Sequence, residues 1–419
     1  MAKILILIGG HLCTAPRPQK EAAAFAAAGH EVTVCGLWFD AALATRDRKL
    51  AKQQPYRFDI ALDFRPGQSE LTRLQVRMQH RLAREGFQYF GVFSPALLGY
   101  GAKALLKTAH RAQAELTIVH SEAGLWIGKQ LIQKGHTVGV DFEDWFSRDL
   151  LPSALKTRPA GQIQQLEKYL MQRCAFRLTT SQAMANALSA AYNAAPPQVI
   201  YNVFPRADGV EPKSSERPAP LKLHWYSQTI GPGRGLETLF SAIPFLNEAV
   251  EIHLRGNYPP SSQAWMEPLI PNEWRSRVIV HPLVSNAELP LRIAENDIGL
   301  ALEMSTCDSR HYTATNKLFQ YMQAGLAVIA SDTAGQREIM KQVPNIGILM
   351  SGNSPAELAA AINQYNQNRA QLQQAKQAAY RASQQTFCYE TQVPALLSTL
   401  NQALSASPQL HEIECSQTH

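Results

Sequence analysis

A strand, a helix and a second strand follow one another at the start of this chain, and that order limits its fold more than any other feature. Lys3-Ile4-Leu5-Ile6-Leu7-Ile8 is a continuous, mostly apolar run ending in Gly9-Gly10. Pro16 and Pro18 open an alanine-rich helix that stops at Gly29, and Glu31-Val32-Thr33-Val34-Cys35 follows. A strand without polar alternation is buried on both faces, as in a parallel sheet covered by helices. The segment therefore reads as a βαβ unit.

The alternation continues, with strands predicted near 116–121, 138–142, 178–181 and 199–203. Residues 206–220 (RADGVEPKSSERPAP) are polar and proline-rich, the composition of a linker. Beyond it, strands are predicted near 221–227, 251–255, 277–281, 298–302, 328–331 and 346–350. The expected architecture is α/β, with two doubly wound Rossmann-like domains facing across a cleft. Residues 1–205 are expected to form the first domain, 206–220 the linker and 221–390 the second. A helix over 391–404 is expected to cross back to the first domain, followed by a flexible tail, 405–419. Ligands of such sheets bind outside the C-terminal ends of the strands.

Composition removes several function classes. The 419 residues suit two cores better than one. Cys13, Cys35, Cys174, Cys307, Cys388 and Cys415 are scattered without a Cys-x-x-Cys pair, which argues against a metal site and fits a reducing, cytoplasmic setting. No apolar run reaches the ~18 residues of a membrane span. The net charge of +6 is modest for this length and suits an anionic small molecule or a membrane surface as well as nucleic acid, but no nucleic-acid module is visible. One stretch, 65–111, is helical and basic, with Arg73, Arg77, Arg81 and Arg84 interleaved with Leu74, Met78, Leu82 and Phe87. A basic amphipathic helix can lie on an anionic membrane as a weak peripheral contact. The preferred reading packs its apolar stripe inward and leaves the arginines in solvent.

Three motifs carry chemistry. In Tyr226-Ser227-Gln228-Thr229-Ile230-Gly231-Pro232-Gly233-Arg234-Gly235-Leu236-Glu237, a strand turns into a helix through Gly231, Gly233 and Gly235. Glycines bring backbone close to a ligand, helix-start N–H groups attract phosphate, and the Arg234 fork suits a diphosphate. A nicotinamide reading fails here, because the next strand ends in Arg255-Gly256 where the dinucleotide fold needs an acid. The second motif, Thr315 to Asp332, is a short helix stopped by Gly325 and feeding a strand. Asn316 and Gln320 share a face at i,i+4, and Lys317 sits against the positive end of the helix dipole, a placement that makes sense where an anion docks. The third is Val140-Asp141-Phe142-Glu143-Asp144 at a strand's C-terminal edge, with His120 at the tip of another. Clustered acids are costly there unless solvated or binding something.

Together these residues resemble glycosyltransferase family 4 and its GT-B fold. The resemblance runs over Gly9-Gly10, Gly29 to Val34, His120, Asp141 to Asp144, Val199 to Val203, Gly231 to Leu236, Asp297 to Glu303 and Asn316 to Asp332. It implies a retaining, metal-independent transfer in glycan biosynthesis, with a nucleotide diphosphate sugar as substrate and no cofactor. By the same resemblance Arg234 touches the donor diphosphate and His120 contacts the donor sugar, and the helix-dipole argument adds Lys317 to the diphosphate site. Glu303 and Gln320 stand for the family's two site glutamates, with Gln320 at the ribose. Gly10, His11, Glu143 and Asp144 lie on the acceptor side. This chain departs from the pattern in having a glutamine at 320, Tyr312 where the spacing asks for the first acid, and Gln228 where a phosphate-binding arginine is usual. The departures leave two rivals, a catalytically silent GT-B partner of an active transferase and a nucleotide-sugar epimerase. The acceptor (glycan, lipid-linked intermediate, protein or small molecule) stays open.

Overall fold

The computed structural model describes residues 1–149, 158–212, 220–247, 250–352 and 354–416, with side chains as far as 405. The chain divides into two units, one of residues 1–180, 184–200 and 393 onward, the other of 181–183 and 201–392.

The first unit is a parallel sheet of β1 (Lys3–Leu7), β2 (Glu31–Trp38), β3 (Arg57–Asp63), β4 (Leu116–Val119), β5 (Val138–Phe142), β6 (Phe176–Thr179) and β7 (Gln198–Val199). Their order is β3-β2-β1-β4-β5-β6-β7, with every pairing parallel. Residues 4–7 of β1 and all of β4 and β5 are buried, as apolar runs covered on both faces require. The order reverses between β1 and β4, so the chain ends after these two strands splay apart and leave room for a ligand.

The second unit repeats the plan with β8 (Leu221–Thr229), β9 (Val250–Asn257), β10 (Val278–His281), β11 (Ile298–Ala301), β12 (Ala327–Ala330) and β13 (Gly347–Leu349). Their order is β10-β9-β8-β11-β12-β13, again parallel, with the reversal between β8 and β11. Its core joins Trp225, Leu254, Leu300 and Ile329 from the strands to Leu239, Leu358 and Ile362 from the helices.

Four features differ from the sequence reading. An additional edge strand, β3, precedes the basic helix. The second unit begins at Tyr201, ahead of 206–220. Tyr201 packs on Phe319 and Phe387 and donates to Glu338 at 2.5 Å, which ties this stretch to the second core. Residues 213–219 of the expected linker lie outside the described residues. The last helix, Tyr389–Ser416, continues past 405, where a tail was expected. Finally, the basic helix is Glu70–Phe90, and its Leu71-Leu74-Met78-Leu82 stripe faces solvent. Its inward contacts come instead from Val76, Ala83 and Phe87, on the opposite side. The preferred inward packing of that stripe is thereby corrected.

Candidate functional site

In the second unit, β8 and β11 deliver their ends side by side. After β8 the chain turns through Gly233 and Gly235, both in the left-handed region at φ +75° and +83°. A Cβ on Gly235 would stand 2.5 Å from the carbonyl oxygen of Leu302, so glycine is what lets the turn close onto the end of β11. The helix that follows, Leu236–Ala242, has only seven residues. The Gly233 N–H already donates to Glu237 Oε1 at 2.6 Å, and the Gly233 carbonyl accepts from Arg310 at 3.0 Å. The loop thus holds its own shape, and not all its amides are open to a phosphate as the sequence reading supposed. Arg234 points into solvent with no partner for its guanidinium among the described residues, while its carbonyl accepts from the Trp225 indole at 3.3 Å. Gln228 is exposed on the last turn of β8, and Gly231 is half-buried.

After β11 the backbone of Glu303 is locked. Its N–H donates to Ser331 Oγ at 2.7 Å, and the same hydroxyl donates back to the Glu303 carbonyl at 2.6 Å. Gln336 donates to the Ala301 and Ser331 carbonyls below. The Glu303 carboxylate receives the Lys317 ammonium at 2.5 Å, and both side chains are about nine-tenths buried. Lys317 also lies 5.8 Å from the centre of the Trp225 ring. The anion that accounts for a lysine in the first turn of its helix is therefore Glu303 of this chain. Gln320, one turn on, is buried, and its Oε1 accepts from the Tyr226 hydroxyl. Burial and the nearby Glu303 charge push that phenol well up, so it stays a donor. One of the two lone pairs the sequence reading offered to ribose is thus in use. Asn316 is exposed, so the face it shares with Gln320 runs from solvent into the core. Gly325, at φ +66°, ends this helix as expected.

The first unit concentrates charge at its own reversal point. His120 follows β4, and Ser121 beside it adopts φ +70°, a costly conformation for serine of the kind found at working sites. The His120 ring is buried, with Nδ1 2.6 Å from Glu143 Oε1 and Nε2 3.2 Å from Glu21 Oε2, near enough for an ion pair but misdirected for a hydrogen bond. Burial works against its charged form, yet the Glu21 charge and the Glu143 hydrogen bond outweigh it and hold the ring as imidazolium, its pKa well above 6.5. Burial pushes Glu21 up to about 7 despite His120. Asp141 is held below its ordinary value, since Arg17 and His120 overcome its burial.

Arg17 and Glu21 share one face of the helix Pro16–Ala27, and the sequence reading missed both. An i,i+4 charged pair on the inward face of an alanine-rich helix was the available signal. Arg17 grips Asp141 through Nε and Nη2 and donates to the carbonyls of Ile200 and Thr179. Glu21, His120 and Asp141 come close enough together for a metal. Arg17 already donates to both Asp141 oxygens, and His120 Nδ1 lies against Glu143, so the cluster is ion-paired within the chain.

The four acceptor-side residues part company. His11 is sealed in the core: Nδ1 donates to Asp47 at 2.8 Å and Nε2 accepts from the Phe39 and Asp40 amides. It is a packing residue with no nitrogen left for a ligand, which corrects its assignment. Gly10 is half-buried and its carbonyl accepts from Leu37. Glu143 and Asp144 remain partly open to solvent.

Residues 225–368 match the family described as glycosyl transferases, group 1. No curated protein sequence matches the chain. Among solved structures, sucrose-phosphate synthase from Thermosynechococcus elongatus superposes over 97% of this chain and 100% of its own, at TM-score 0.71 and 16% identity. Anabaena HepE in complex with UDP-glucose covers 96% and 100%, at TM-score 0.64 and 17% identity. TarM of S. aureus, solved with UDP, covers 96% and 100%, at TM-score 0.66 and 9% identity. Residues 225–368 thus resemble the group 1 glycosyl transferases, in a chain with the two-domain GT-B fold.

Proposed function

We propose that the chain moves a sugar from a nucleoside diphosphate sugar, held by the second unit, to an acceptor hydroxyl. The observation that carries the reading is Arg234. A solvent-facing, unpaired guanidinium stands on a two-glycine turn at the reversal point of the sheet, beside the end of β11, where Glu303 receives Lys317 from the helix Asn316–Gln323. A diphosphate is the ligand whose charge and planar oxygens this fork suits. As the sugar bond breaks, negative charge grows on the leaving diphosphate, and Arg234 with the remaining Lys317 protons stabilises it in place. Arg234 as the charge-neutralising group makes a metal-independent reaction the simplest scheme, and the resemblance adds retention of configuration. The free oxygen of Glu303 accepts from sugar hydroxyls, and Gln320 turns its amide toward the ribose.

In the first unit, the His120 imidazolium takes the sugar-contacting role that the resemblance implies, and Glu143 and Asp144 are the open carboxylates for an acceptor. HepE and TarM were solved with UDP, which makes uridine diphosphate the first nucleotide to try. The described cysteines are all free thiols, which suits a reducing, cytoplasmic setting.

Titration calorimetry with a panel of nucleoside diphosphates tests the reading. One of them is expected to bind, and Arg234→Ala to weaken it roughly 10- to 100-fold, as for a hydrogen bond to a charged group. Slow release of free sugar from the matching donor, without acceptor, separates an active transferase from a silent partner. A wild type that binds no nucleoside diphosphate, or a variant that binds as tightly, overturns the proposal.

A further inference from the structure

The helix Glu70–Phe90 belongs to neither charged cluster, and it wears its apolar residues on the outside. Leu71, Leu74, Met78, Leu82 and Tyr89 fall on one face by helical spacing, and Leu71 is 76%, Leu74 63% and Leu82 60% exposed. At the helix's end, beyond Tyr89, Phe90 is 81% and Val92 60% exposed. An apolar stripe about 30 Å long is unusual on a protein that meets only water. The opposite face, with Val76, Ala83 and Phe87, already supplies the contacts that fix the helix to the first unit.

Beside the stripe runs a second row at helical spacing, Arg73, Arg77, Arg81 and Arg84. Arg73 and Arg81 lie near Glu70 and Glu85, at 3.4 and 2.8 Å, whereas Arg77 and Arg84 have no carboxylate partner among the described residues. Arginine stems at the flank of an apolar face can lay their methylenes along it and extend their charge toward headgroup phosphates.

We propose that this helix docks the chain, peripherally and in the plane of the surface, on a bilayer containing anionic lipid. Charge complementarity selects that occupant. A second copy of the chain paired antiparallel through the same stripe would set one arginine row against another, and a parallel copy would leave both rows uncompensated, whereas anionic headgroups neutralise them. Among the described residues no helix is long and apolar enough to cross a membrane, so the contact is of the surface kind.

Cosedimentation of the full chain with vesicles tests it, using phosphatidylcholine alone and phosphatidylcholine mixed with phosphatidylglycerol. Binding is expected to the anionic vesicles only, at low salt, with release as salt rises. Arg77→Glu combined with Arg84→Glu is expected to weaken binding by more than tenfold, since each lost basic residue alone removes about fivefold. Leu74→Glu combined with Met78→Glu is expected to abolish it at any salt, and both double variants to keep the wild-type melting temperature, because these side chains are exposed. No binding to anionic vesicles at low salt, undiminished binding by either variant, or a dimer in sedimentation equilibrium that Leu74→Glu with Met78→Glu dissociates would overturn the proposal.

Discussion

Lys317 stands where the helix dipole disfavours a cation, and Glu303, 2.5 Å away, is what holds it there. Breaking such a pair leaves a buried charge without compensation, so Lys317→Ala is expected to cost about 3–5 kcal/mol of stability, visible as a lower denaturant midpoint. Arg234→Ala, which removes an exposed and unpaired group, is expected to leave stability within about 0.5 kcal/mol of wild type. Equal stability of the two variants would show that the ion pair is not formed in solution. Glu21 gives a pH signature of its own. Its carboxyl is raised from 4.5 to about 7, so the folded chain holds a proton that the unfolded chain releases between those values, and stability falls as pH rises across that window. His120, raised above 6.5, acts in the same direction at higher pH, its contribution complete below 6.5 and lost as pH rises through its folded value. Glu21→Gln is therefore expected to flatten the slope between pH 4.5 and 7 by up to about 1.4 kcal/mol per pH unit, measured by denaturation across pH. An unchanged slope would remove Glu21 from the proton balance. The placement of Arg234, Lys317 and His120 beside strand ends was legible from sequence, because each follows a strand or opens a helix next to one, whereas the Lys317–Glu303 pair was not. Arg17 and Glu21 were harder, because their function depends on which face of the helix meets Asp141. The role of His11 depended on Asp47, thirty-six residues away, which no local pattern discloses.

The strands were the most legible elements, since burial on both faces writes an unbroken apolar run into the sequence. β3 is the exception. As an edge strand it is only half-buried, and its Phe58, Ile60 and Leu62 alternate with Arg57, Asp59, Ala61 and Asp63, a period-two signal that its charged residues mask. The helix Glu70–Phe90 was found from its periodicity, but periodicity cannot say which of two apolar faces turns inward. Only the neighbouring elements decide that. The turn after β8 gives this scale its test. Gly235 combines φ +83° with a Cβ position 2.5 Å from Leu302, whereas Gly231 has open space around it. Gly235→Ala is expected to cost at least ~1–2 kcal/mol from backbone conformation, with the overlap added, and to weaken nucleoside diphosphate binding. Gly231→Ala is expected to stay within about 0.5 kcal/mol of wild type. Comparable midpoints for the two variants in urea would show that the turn relaxes away from β11.

At the scale of the molecule, each unit owns a sheet and a core, yet the chain does not leave the first unit for good at Ile200. From Val393 the last helix groups with the first unit again, and Leu396 and Leu400 on that stretch are fully buried. The C-terminal segment is therefore part of the first unit, although the second unit precedes it in sequence. Leu400→Ala is expected to cost about 2–5 kcal/mol, as a large-to-small change in a packed core does. That loss belongs to the first unit, whereas a nucleoside diphosphate at 100 times its Kd adds about 2.7 kcal/mol to the unit that binds it, by the proposal the second. Scanning calorimetry of wild type and Leu400→Ala, with and without the nucleotide, separates the two contributions. The variant is expected to lower one transition and the nucleotide to raise the other, with the nucleotide's affinity the same in both proteins. A single transition that both perturbations move would mean that the two cores unfold as one, and a variant that loses nucleotide affinity would place the last helix in the donor site.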